Sequence, residues 1–187
     1  EQHLTVFKAD IIFAAFGFNE SFKGQAGLEQ FKKDLANYIQ ELKTTAFNGR
    51  TAPKIILVSP IANENITGVT AATANNQNIK LYADAMARVA AAQKIGFVNV
   101  YDATLKAMQA SDDITSNGVH MLEEGYKIFA KTLFEQTFKK NAPEVNEEIR
   151  QVALDKNRQF FRRYRPLNTF YYMGGRSSKY GYLDFLP

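Results

Sequence analysis

The stretch Asp10-Ile11-Ile12-Phe13-Ala14-Ala15-Phe16-Gly17-Phe18-Asn19-Glu20 decides the fold. A continuous apolar run that ends at a glycine reads as a strand buried on both faces, the habit of a parallel sheet. Two more such runs follow, Lys54-Ile55-Ile56-Leu57-Val58 after Pro53 and Gly96-Phe97-Val98-Asn99-Val100. Between the first two, Leu28, Phe31, Leu35, Tyr38, Ile39 and Leu42 recur at spacings of three and four, which puts them on one stripe of a helix. Ile79, Tyr82, Met86, Val89 and Ala90 mark the apolar face of a second helix, expected over about 76–94. A short helix is expected over about 103–110, and another over 123–138 that buries Tyr126, Phe129, Ala130 and Leu133. This alternation predicts an α/β fold with a parallel sheet and right-handed crossovers.

Three strands make a poor sheet, and all three read as buried. The pattern therefore predicts cover for the face or edge beside the first strand, supplied by an N-terminal segment or further domains of the same protein. On this reading residues 1–140 are the later part of a larger α/β domain, incomplete at the N-terminus. Asn141-Ala142-Pro143 breaks the pattern, and residues 141–187 form an extension. In it, Val145 to Tyr164 reads as one basic helix, and Arg165 to Pro187, rich in Tyr, Gly and Phe, reads as a docking segment.

Composition bounds the chemistry. The 187 residues contain no cysteine, which excludes disulfides, thiolate catalysis and cysteine-held metals. No histidine or carboxylate cluster has metal-ligand spacing and no glycine-rich phosphate loop is present, so no metal or cofactor is expected. No apolar run is long enough to span a bilayer. No signal peptide is visible, and a chain beginning at Glu1 leaves export open. The charge is uneven. Residues 1–138 hold 13 Lys/Arg against 14 Asp/Glu, and residues 139–187 hold 10 against 5. Without a nucleic-acid-binding motif, the basic end reads as a solvated helix face, and no nucleic-acid partner is expected.

In a parallel sheet, sites gather beyond the carboxyl ends of the strands. Asn19 stands at such an end, where its side-chain NH₂ can meet a developing oxyanion. His120 follows Asn117-Gly118 in a polar loop and precedes a helix, a place from which an imidazole can act as a general base near neutral pH. The polar loop over 62–75, at the end of the second strand, is a candidate for substrate contacts.

Phe16-Gly17-Phe18-Asn19-Glu20-Ser21-Phe22 and Ser116-Asn117-Gly118-Val119-His120-Met121, followed by Glu124-Gly125-Tyr126, resemble two conserved blocks of the SGNH (GDSL-type) hydrolase family. The resemblance covers roughly residues 8–138. It implies a flavodoxin-like, three-layer α/β/α fold and hydrolysis of carboxylic esters, often acyl groups on carbohydrates or lipids. It also implies Asn19 as the oxyanion-hole amide with Gly17 beside it, and His120 as the base. The tail is similar to the segment that follows this domain in some large exported bacterial proteins, which implies export.

Two departures stand out. The family's Gly-Asp-Ser nucleophile block is absent from Glu1 to Lys8, and no serine present lies in such a context; Ser59, ending a strand, is the least implausible substitute. The family's aspartate three residues before the histidine is here Asn117, with Asp112 or Asp113 as alternative carboxylates. An amide can orient an imidazole but carries no charge. A non-catalytic binding or assembly module on a degraded SGNH fold is therefore the second expectation.

Overall fold

The computed structural model describes residues 2–68, 70–110 and 114–164. The expected docking tail lies outside them, as do Asp112 and Asp113. The chain divides into two compact units, Glu1–Ala142 and Pro143–Pro187.

The first unit opens with a short helix α1 (Gln2–Val6) and continues through β1 (Ile11–Ala15), α2 (Phe18–Ser21), α3 (Gly24–Lys43), β2 (Lys54–Val58), α4 (Ala72–Gln93), β3 (Gly96–Val98), α5 (Val100–Ala110) and α6 (Glu123–Phe138). The strands are parallel in the order β1-β2-β3, with Phe13 paired to Ile56 and Ile56 to Gly96. Strand alternation sorts the side chains into two faces. Ile12, Ala14, Ile55 and Leu57 join Leu28, Phe31, Leu35 and Ile39 of α3 and Tyr82, Met86 and Val89 of α4 in the main core. On the other face Val58, Val98 and Val100 pack with Phe129 and Leu133 of α6. Helices thus lie on both faces, giving the three-layer α/β/α arrangement.

The cover is lopsided, and this corrects the expectation of a first strand buried on both sides. In β1 burial alternates, leaving Ile11 and Phe13 48% and 46% exposed. The physical reason is that α6 packs over β3, where Phe129 and Leu133 meet Val58, Val98 and Val100, and no hydrophobic cluster joins it to β1 among the described residues. Tyr126 and Ala130, expected to be buried, are exposed for the same reason, while Phe129 and Leu133 are half-buried. Two helices also begin earlier than their local sequence suggests. The helix α4 starts at Ala72 and so takes in Asn75 and Asn76, a polar pair that read as the end of the loop. The helix α5 starts at Val100 and cuts β3 short. Its first N–H groups are capped from another strand: Ser59 Oγ accepts from Val100 N and Tyr101 N, both at 3.0 Å.

The second unit contains α7 (Glu147–Tyr164), acidic in its first turn and basic in its last, an order that suits the helix dipole.

Candidate active site

The residues around His120 form a closed loop before α6. Ile114 O accepts from Leu122 N and His120 O from Ser116 N, both at 2.8 Å, so the chain returns on itself across Thr115 and Met121. Within it, Asn117 Oδ1 accepts from Val119 N at 3.2 Å and from His120 N at 3.0 Å. The same oxygen lies 3.0 Å from His120 Nδ1. Two backbone donors fix which end of the amide faces the imidazole, because an NH₂ there would meet two N–H groups. Nδ1 must then carry the proton, leaving Nε2 as the basic nitrogen of an exposed ring.

The loop rests on the segment that follows β2. Glu64, only 3% exposed, accepts from Ile114 N at 3.0 Å, from Thr115 N at 2.8 Å and from the Thr115 hydroxyl. Gly118 O receives Glu64 N at 2.8 Å and Asn63 Nδ2 at 3.0 Å. Asn63 is itself gripped from α4. Asn75 Nδ2 donates to its side-chain oxygen, and Asn76 both donates to its carbonyl and accepts its N–H, each at 2.7 Å. Gly118, at φ 90°, makes the fit possible: a Cβ there would stand 2.7 Å from Asn63 Nδ2 and 3.1 Å from Glu64 O.

The other motif turns sharply at Gly17, whose φ is 100°. Its N–H is taken by Glu20 Oε2 at 2.9 Å, so its expected share in an oxyanion hole reduces to shaping the turn. A Cβ at Gly17 would meet Met86 Sδ at 3.1 Å and Pro60 at 3.4 Å, so this turn, too, packs on the segment after β2. Asn19 is exposed in α2, and its side-chain amide makes no hydrogen bond among the described residues. A cavity of about 380 Å³ adjoins the turn, lined by Phe16 and Glu20 and by Phe31, Leu35 and Tyr38 of α3. At its wall, burial and then the nearby Glu20 carboxylate push the Tyr82 phenol above its ordinary range.

The structure therefore brings Asn117 and His120 together and places Asn19 at the carboxyl end of β1, with no hydrogen bond between the two motifs among the described residues. Ser59 is buried and engaged in capping α5, which removes it as a nucleophile. The 62–75 loop is corrected in part. Ala62, Asn63 and Glu64 are buried scaffold, and 72–75 belong to α4, so among the described residues the exposed loop surface is reduced to Asn65, Thr67, Gly68, Thr70 and Ala71. Sequence reasoning missed Asn63, Glu64 and Thr115. Their signal was one carboxylate among polar loop residues, which looks the same whether it is solvated or buried.

A parallel sheet covered by helices on both faces, with a histidine-bearing loop and an amide-bearing turn at its carboxyl end, defines a three-layer α/β/α protein. Residues 1–128 match the model of the GDSL-like lipase/acylhydrolase family, and the chain belongs to that family. No curated protein matches it. Among solved structures, it is similar to a catalytic mutant of Axe2, an acetylxylan esterase from Geobacillus stearothermophilus (15% identity, TM-score 0.58, covering 75% of this chain and 64% of that one). It is also similar to a lipase/acylhydrolase from Enterococcus faecalis (20%, 0.51, 75% and 67%). A third neighbour is LAE5, an α/β hydrolase from the metagenome of Lake Arreo (18%, 0.56, 73% and 63%). At these identities the likeness is one of fold. The chain spans about two thirds of the length of these proteins.

Proposed function

We propose that this chain supplies the base and the oxyanion donor of a serine ester hydrolase of the SGNH type, and that the serine comes from a segment outside these 187 residues. The observation that carries the reading is the 3.0 Å contact from Asn117 Oδ1 to His120 Nδ1, held in one sense by two backbone N–H groups. In the reaction the serine hydroxyl adds to the ester carbonyl while His120 Nε2 takes its proton. Asn19 Nδ2 donates to the oxyanion, and the imidazolium returns the proton to the departing alcohol. Water then repeats the sequence on the acyl-enzyme. Asn117 fixes the tautomer without adding charge, so the wrong-tautomer failure that an amide causes in a serine protease does not apply here. The half-exposed Ile11 and Phe13 favour a further segment packing on β1 as part of the same domain. Carbohydrate acyl esters are the substrate class we favour, by analogy with the acetylxylan esterase neighbour.

The neutral Asn117 and the buried Ser59 favour one other reading, a binding or assembly module that has lost catalysis. Turnover of a short-chain nitrophenyl ester by the intact protein separates the two. The enzyme reading expects hydrolysis that drops about 10²–10⁴-fold in His120→Ala. Absence of turnover, or turnover indifferent to His120, selects the module.

A further inference from the structure

The carboxylate of Glu64 is set where its charge is costly. It is buried, and the three groups hydrogen-bonded to it among the described residues, Ile114 N, Thr115 N and the Thr115 hydroxyl, are neutral donors. Burying a charge without a counter-charge is unfavourable, and scaffolding alone can be done by apolar packing of similar volume. A group that only accepts hydrogen bonds is nevertheless what these donors require; a glutamine would turn an NH₂ toward at least one of them. The contacts fall on one end of the His120 loop. Thr115 Oγ1 passes the link on by accepting from Gly118 N at 2.9 Å, and Glu64 N grips Gly118 O. Gly118 is the residue between Asn117, which orients the imidazole, and Val119. The loop is thus tied at Ile114–Thr115 and again at Gly118 by one residue from the segment after β2.

We infer that Glu64 is a positioning residue for His120: its buried carboxylate and its backbone N–H together hold the loop in the one shape that lets Asn117 orient the ring. The role rests on the hydrolase reading for its purpose, but its structural content can be read without turnover. His3 is the only other histidine, so ¹⁵N spectra of the imidazoles in this chain report the His120 tautomer, assigned with a His120→Gln variant. The wild-type chain should show a single Nδ1-protonated ring. Glu64→Gln should show averaged tautomers and faster amide exchange at Ile114 and Thr115. In the intact protein it should lower kcat about 10- to 100-fold while KM stays within about twofold, as expected when a catalytic group is misplaced and substrate binding is not. A folded Glu64→Gln with the wild-type ring spectrum overturns the inference. If that variant does not fold, Thr115→Val and Thr115→Ser decide: averaging in Val with recovery in Ser supports it, and a wild-type spectrum in Val overturns it. If the intact protein cleaves no ester, the ring spectra still decide the role of Glu64, and only the hydrolase reading falls.

Discussion

The loop around His120 and the turn around Asn19 sit beyond the carboxyl ends of neighbouring strands, yet they are held in different ways. The loop is tied from beneath by Asn63 and Glu64, and the His120 ring already has its orienting partner at 3.0 Å. The turn rests on Gly17 and one Glu20 contact, and the side chain of Asn19 is exposed with no partner among the described residues. On the proposed reading, the base is preorganised within this chain, whereas the oxyanion donor is not. Preorganisation matters because a donor that must be ordered during the reaction gives back part of what it contributes.

The sharpest way to break the contrast is Asn19→Ala. If Asn19 donates to the oxyanion, kcat for a nitrophenyl ester in the intact protein should fall about 10²–10³-fold. The melting midpoint should hardly move, since an exposed, unbonded side chain contributes little to stability. A matching loss of stability would show that the turn is as tightly built as the loop.

Next in size are the two glycines. Gly118→Ala combines a strained φ with a Cβ that would press on Asn63 and on the backbone of Glu64, so chemical denaturation should show a loss of about 2–4 kcal/mol. Gly17→Ala meets the end of Met86, a side chain able to give way, and should cost about half as much. Equal losses would erase the distinction.

Asn117→Asp should raise kcat by about tenfold, because a charge then stabilises the imidazolium while the tautomer is already correct. A decrease would mean that the amide, and not its oxygen alone, is needed. The smallest effect lies in α7 and sets the scale for an exposed carboxylate. Glu147 titrates at about 2, held down by hydrogen bonds from Arg150 and Gln151. Its depressed value means that its contribution is present above the ordinary carboxylate range and is lost as pH falls through about 2. Backbone chemical shifts in the first turn of α7 should drift toward coil over that interval, and Arg150→Ala should move the drift to higher pH.

Much of the fold was legible because the three apolar runs and the i, i+3, i+4 stripes of α3 and α4 are local patterns. Errors arose where a distant residue intervened. The start of α5 depends on a hydroxyl from the end of β2, and the burial of β1 depends on where α6 lies. The site divided in the same way. Asn117, His120 and the Gly17-x-Asn19 turn are short motifs with local geometry. Asn63 and Glu64 gain their meaning only from contacts about fifty residues away in the chain.

The uncovered side of β1 has a consequence for the colloidal behaviour of the chain. A strand whose outer edge has no strand partner among the described residues, with Ile11 and Phe13 turned to water, is a template for pairing with any extended segment that meets it. Its lone cationic flank, Lys8, gives slight protection as a gatekeeper. Coverage of that strand would remove the exposed face and one of the two sheet edges through which copies of the chain could associate.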